Sequence, residues 1–395
     1  MPETQLPDIP KRRSEPGWLR SPMAFVLGLF LFVRIGLTVW MWAVRTLYPN
    51  PLPPDAALRP YLGVTPEANP WLNPWQRWDT LHYQAIAERG YDAFDIALFV
   101  PPLLPWAMRA LAPLVGGNTL LAGLLISNAA YIGALFAFLR LAEEETGDRQ
   151  AARRATMYLA FFPTAFFFMA AYTESLFMLA VVLALWAARR RNWIFAGVWG
   201  GLACLTRLPA MLILIPLSYS AWDAWRQDRR AVAWAAPTIT LAMAALFPLY
   251  VWLGLGLVPW APFQVQAARF GGGFVFPGAN LIASLRLILS GGAFITDVLD
   301  LIFLLAFALL AVPVWRRLPR LYSVYYLCFL MLYLTRQGGS EPLVGMVRYV
   351  LALFPAFFVL GEAGKNVWVN RLLLYVGWAG LLFMSGGFAI WLWMG

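Results

Sequence analysis

Apolar residues fill most of the chain in blocks of about 15–25, separated by short polar stretches where arginines cluster, and an α-helix of that length crosses a bilayer core. Read in order, the blocks predict about eleven transmembrane helices, near 22–44, 119–141, 155–170, 173–188, 193–206, 208–222, 231–255, 297–314, 321–335, 346–362 and 371–393. The pattern is that of an all-α polytopic membrane protein. One apolar block is set apart. Residues 97–115, ALFVPPLLPWAMRALAPLV, carry Pro101, Pro102, Pro105 and Pro113 with Arg109 in the middle. Prolines at that density remove backbone donors that lipid cannot replace, so this block is expected to be an interfacial or re-entrant helix.

The charges test the assignment. Only 13% of residues are charged, against about a quarter in soluble domains. With the amino terminus inside, the inner loops collect Lys11, Arg12, Arg13, Arg20, Arg140, Arg149, Arg153, Arg154, Arg189 to Arg191, Arg226, Arg229, Arg230, Arg316, Arg317, Arg320, Lys365 and Arg371. A crossing at 97–115 would turn every later cluster outward, so the positive-inside rule selects the non-spanning reading. The same rule accounts for the net charge of +10 without nucleic acid. The domain plan is a cytoplasmic tail, 1–21, and one transmembrane domain, 22–395. Outer loops lie at 45–118, 256–296 and, shorter, 336–345. The first span has no small-residue cleavage signature and reads as permanent. Cys204 and Cys328 sit in apolar blocks and His82 is the only histidine, so neither a disulfide framework nor a His/Cys metal cluster is expected.

Function is expected in the long outer loops. Asn73-Pro74 has the form of a helix start and Arg89-Gly90 of a glycine stop, predicting one surface helix over 74–89. On it Asp79, His82, Tyr83 and Ile86 share a face, and Trp75 and Trp78 suit the headgroup belt. Asp79 is either a solvated carboxylate paired with Arg77 or a general base at the membrane edge. Asp55, Glu67, Glu88, Asp92 and Asp95 are the other acids of this loop, with Asp92 and Asp95 as reserves. The stretch GGGFVFPG, Gly271 to Gly278, lacks the Gly-Lys-Ser/Thr ending of a phosphate loop and reads as a connector or a flap.

Four stretches carry a resemblance. RWDTLHYQAIAERGYD followed by FVPPLLP, FFPTAFFFMAAYTESLF (Phe161 to Phe177), LACLTRLPAMLIL (Leu202 to Leu214) and MVRYVLALFP (Met346 to Pro355) occur in this order. Together they resemble the PIG-V family, the second mannosyltransferase of glycosylphosphatidylinositol synthesis, and its prokaryotic relatives. Phe-Pro stands where that family often has Asn-Pro, and Leu-Pro where it often has Asn-Gly. The resemblance implies the GT-C architecture, a polyprenyl- or dolichyl-phosphate sugar donor, mannose as the sugar, and an acid of the first outer loop as base.

On that implication Asp79 takes the acceptor's proton. A leaving phosphate is already a stable anion, so no second acid is needed; it wants cations instead. Arg348, Arg207 and Arg336, all at outer span edges, are the candidates, with Tyr349 beside Arg348. An arginine at a span end also snorkels to the headgroups. His82, Arg77, Tyr83, Tyr172 and Glu174 are the candidates for sugar or acceptor contact, with a helix amino-terminal charge as the alternative reading of Glu174. Neither metal nor cofactor is expected. The expected partners are the donor lipid, a glycolipid acceptor and membrane lipids. A transporter or flippase is the rival reading, favoured by Arg34 deep in the first span; a catalytically inert scaffold is another. Abundant arginine with scarce lysine hints at a GC-rich prokaryote, whose outer face lies beyond the cell membrane; in a eukaryote that face is the ER lumen.

Overall fold

The computed structural model describes residues 21–48, 61–93, 97–229, 231–270, 273–339 and 341–394. Lys11, Arg12, Arg13, Arg20, Asp55, Asp95, Arg230, Gly271 and Gly272 lie outside the described residues.

Side-chain caps set many helix starts. Helix α1 (Pro22–Leu47) begins on Ser21, whose hydroxyl accepts from the Ala24 N–H. The first loop holds α2 (Asp79–Arg89) and α3 (Leu103–Leu111). Then come α4 (Thr119–Thr146), capped by Asn118, and α5 (Arg149–Ala160), capped by Asp148. Next are α6 (Glu174–Arg189), α7 (Trp193–Cys204), capped by Asn192, and α8 (Leu214–Asp228). Helices α9 (Ala235–Ala244) and α10 (Leu246–Leu253) follow, then α11 (Ala261–Phe270) and α12 (Ala279–Leu289) in the second loop. The chain ends with α13 (Ile295–Arg317), α14 (Arg320–Thr335), α15 (Met346–Tyr349), α16 (Pro355–Ala363) and α17 (Val367–Ala389), the last capped by Asn366. Two two-residue strands, β1 (Gly273–Phe274) and β2 (Arg336–Gln337), pair antiparallel.

By length and composition, five helical segments among the described residues can cross a membrane: α1, α4, the Ala231–Leu253 rod containing α9 and α10, α13 and α17. Met346–Ala352 and Pro355–Ala363, bent by 89°, make a sixth if they form one span. The other predicted spans are helical but short. Helices α5, α6, α7, α8 and α14 have 12 to 16 residues, about 18–24 Å at the helical rise. The chain unwinds at 161–173 and tightens to 3₁₀ at 208–213, at Pro163 and Pro209. Irregular backbone at that depth is tolerated because it is buried in protein: Phe166 to Tyr172 are fully enclosed. The proline-rich block is shorter still, with α3 flanked by 3₁₀ turns and packed on α2 and α4.

Most of the arginine-rich loops meet at one end of the bundle. Arg189 reaches Glu145 (3.1 Å), Arg190 pairs with Glu144 and Arg191 with Asp228. Lys365 reaches Asp148 (3.4 Å), Arg317 reaches Glu362 (3.4 Å), and the Tyr322 hydroxyl donates to Glu145 (2.9 Å). Because α6, α13 and the bent pair run away from that end or toward it, Glu174, Arg207, Arg336 and Arg348 fall at the other.

Packing between short helices relies on close approach. On α7, a Cβ at Gly200 would sit 2.4 Å from Thr240 Oγ1 of α9. Gly200→Ala is therefore expected to cost about 1–3 kcal/mol, read as a lower Tm in detergent; an unchanged Tm contradicts the contact.

Candidate active site

The predicted helix over 74–89 begins five residues late. Asn73-Pro74 makes only a 3₁₀ turn, Asn73–Trp75. Trp78 then sits at φ 52°, ψ −119°, a strained conformation for an L-residue, and α2 starts at Asp79. The Tyr172 hydroxyl brackets this strained residue: it accepts from the Asp79 N–H (3.1 Å) and donates to the Arg77 carbonyl (3.3 Å).

Asp79 thereby points at Arg348. Its Oδ2 lies 3.0 Å from Arg348 Nη1. The Arg348 side chain is only 4% exposed and lies between the Phe167 and Tyr172 rings, 4.6 and 4.8 Å from their centres. Its Nε donates to Glu174 Oε1, which also accepts from Arg207 Nη1 (2.9 Å). Glu174 is equally buried, and its Oε2 has no hydrogen-bond partner among the described residues. Arg207 and Arg336 both lie over the Tyr349 ring, at 5.3 and 4.9 Å, and Tyr333 stacks on Tyr349. Two carboxylates and three guanidiniums thus share one site, which keeps a net positive charge. The space among Glu174, Arg207, Arg348 and Tyr349 is ≈ 10 Å³, room for about one water.

His82 stays at the edge, Nδ1 3.8 Å from Asp79 Oδ1 and its ring against Phe99. Tyr83 is buried, edge-on to Tyr172, with its hydroxyl 3.5 Å from Thr173 Oγ1. Burial, then the Asp79 and Glu174 charges, raise the Tyr83 phenol's pKa, so it stays protonated. Arg77 is not brought to the cluster. Its guanidinium donates to the carbonyls of Asn73, Gln76 and Ala389 and to Asn73 Oδ1, tying the loop to the end of α17. It is not the partner of Asp79 either; that partner is Arg348. Glu67 and Glu88 bind Asn118 and Thr119 at the start of α4, and Asp92 is exposed. Sequence reasoning missed Phe167 and Tyr333, which enclose the arginines; one aromatic in an apolar run carries no signal of its own. Arg34 finds its partners here too. It donates to the Met169 carbonyl (3.2 Å) and lies 4.1 Å over Trp75, fastening α1 to the 161–173 segment.

The glycine stretch is a fixed strap in its described part. The N–H groups of Val275 and Gly278 donate to the Thr335 and Leu334 carbonyls, and Asn280 Nδ2 to those of Tyr333 and Arg336. These bonds satisfy the orphan carbonyls at the end of α14. Beside the strap, an apolar groove of ≈ 460 Å³ runs between α8 and α14, lined by Leu212, Ile215, Phe274, Cys328, Leu332 and Thr335 among others.

Residues 100–252 match the model of the dolichyl-phosphate-mannose-protein mannosyltransferase family. Among solved structures that match is ArnT from Cupriavidus metallidurans bound to undecaprenyl phosphate. It is 15% identical, with a TM-score of 0.50 over 91% of this chain and 77% of that one. The fold is of the GT-C type. No curated protein sequence matches the chain.

Proposed function

We propose that this protein is a membrane glycosyltransferase that moves a hexose, mannose on the PIG-V resemblance, from a polyprenyl phosphate to a glycolipid acceptor. The observation that carries the reading is the Asp79–Arg348 pair, backed by Glu174, Arg207 and Arg336, at the bundle end away from most of the inner-loop arginines. That end is assigned to the non-cytoplasmic side by the positive-inside rule. The matched family is named for a dolichyl-phosphate-mannose donor, and the ArnT structure holds undecaprenyl phosphate; both support a polyprenyl carrier.

In the proposed reaction the acceptor oxygen attacks the anomeric carbon and its proton passes to the Asp79 carboxylate. The bond from that carbon to the phosphate oxygen breaks, and its electron pair stays on the phosphate. One direct displacement inverts the configuration. The new phosphate charge is met by Arg348, Arg207 and Arg336. Arg348 is paired with Asp79 at 3.0 Å. An arriving phosphate competes for Arg348 and releases the carboxylate to act as base. His82, partly exposed beside Asp79, is the side chain offered to sugar or acceptor, with Tyr83 and Tyr172 enclosed behind it.

The decisive experiment supplies the purified protein, in vesicles, with polyprenyl-phosphate-mannose and a glycolipid extract. Mannosyl transfer with inversion is expected; movement of lipid without transfer would leave the flippase reading standing instead. Arg34 no longer favours that rival, since its charge is met by a carbonyl and an indole face.

The lining of the apolar groove includes Thr335, the residue before Arg336 in the chain, and the groove is assigned to the donor's chain. Leu332→Trp narrows it and is expected to raise the donor KM about tenfold, the scale of one lost side-chain burial, with kcat kept. An unchanged KM puts the chain elsewhere.

A further inference from the structure

We infer that Asp300, a buried carboxylate on α13, is the positioning residue that aims Arg348 at the donor phosphate; the inference rests on the phosphate-binding role of Arg348 proposed above.

Asp300 stands in ITDVLDLIFLLAFALLAVPVWRR, a helix apolar over most of its length, and is 4% exposed. Its two oxygens accept from two backbone N–H groups 45 and 47 residues away: Gly345 at 3.1 Å and Val347 at 2.7 Å. Gly345, at φ 77°, turns the chain into α15, and the first N–H groups of a helix have no partner within it. One carboxyl group accepting both bonds holds the turn at two points. The other side of the same residue is held as well. The Val347 carbonyl accepts from Thr164 Oγ1 (2.9 Å), in the irregular segment after α5. The residue directly before Arg348 is therefore fixed at both its N–H and its carbonyl by two separate elements.

Burial alone does not achieve this. Leu343, Met346, Val347, Val350 and Leu351 are all enclosed and hold the segment in place, but apolar contacts are non-directional and define its rotation about its own axis less sharply than hydrogen bonds do. Hydrogen bonds at Val347 set that rotation, and with it the direction in which Arg348 leaves the backbone toward Asp79 and Glu174. A buried carboxyl group is costly unless its oxygens are hydrogen-bonded, and packing by itself would be served by leucine. The acid is explained by the orientation it enforces.

A double-mutant cycle tests this through affinity for undecaprenyl phosphate, titrated in detergent, alongside mannosyl transfer. Asp300→Asn in the wild-type background is expected to weaken binding by about tenfold to a hundredfold, the effect of a misplaced contact group. In an Arg348→Gln background the same change is expected to have almost no effect, because the residue it positions is gone. Thr164→Val, close in shape to the native side chain, should show the same dependence with a smaller loss, and carries the test if Asp300→Asn fails to fold. Equal losses in both backgrounds overturn the inference and reduce Asp300 to a structural residue. Full affinity in Thr164→Val and Asp300→Asn overturns it too. If the wild type transfers mannose while the cycle is additive, only this inference falls. If the wild type neither binds undecaprenyl phosphate nor transfers sugar, the glycosyltransferase reading falls and takes this one with it.

Discussion

Asp79→Asn is expected to lower sugar transfer by about 10²–10⁴-fold, the usual contribution of a general base, without weakening the donor's binding. The asymmetry follows from the geometry. Asp79 and the donor phosphate are rivals for Arg348, whose Nη1 is 3.0 Å from the carboxylate. Asparagine keeps the shape but loses the charge, so it competes less well for the guanidinium, and the donor's Kd should stay level or fall. A residue that merely held the site together would behave differently, losing rate and affinity together. The measurement is the pair of values, initial rate and Kd for polyprenyl phosphate, on one preparation. Transfer within a few-fold of wild type removes Asp79 from the base's role. Lost rate with equally lost affinity makes it a structural partner of Arg348.

Much of this site was legible because charge is scarce in an apolar chain, and a charge placed there has a physical reason. Asp79, Glu174, Arg207, Arg336 and Arg348 stand out from their flanks, and the structure gathers all five around Phe167, Tyr172 and Tyr349. Local sequence does not tell where a given charge is spent. Arg77 sits two residues from Asp79, yet it caps backbone carbonyls; an arginine that ties a loop and one that binds a ligand have the same neighbours in sequence. The span count was the least legible feature. Apolar composition reports that a segment avoids water, not that it stays helical, so the unwound stretch at 161–173 read as part of two helices. Pro163, Pro209 and Pro355 were the available signals, each near a break. Asp300 was not singled out in the sequence, because its partners lie in a loop brought near only by the fold.

Glu174→Gln is expected to be the most destabilising change at the site and, in the same protein, to make binding of polyprenyl phosphate tighter. Glu174 Oε1 is shared by Arg348 and Arg207, and the carboxylate is 3% exposed beside an Arg348 side chain exposed to 4%. Removing one member of a buried ionic group leaves the others uncompensated, at about 3–5 kcal/mol, a large share of the roughly 5–15 kcal/mol that holds a typical domain folded. Glutamine still offers an acceptor oxygen, so the loss should fall toward the lower end of that range. What remains is two guanidiniums near Tyr349 with one negative charge fewer between them, and a phosphate restores that charge. Added undecaprenyl phosphate should therefore raise the Tm of Glu174→Gln by more than it raises that of the wild type, as ligand linkage requires of the tighter binder. Turnover should drop even so, because the leaving phosphate is held more firmly after transfer. A variant that melts with the wild type, or that gains no more from the lipid than the wild type does, would mean that Glu174 is not the counter-charge of the phosphate-binding arginines.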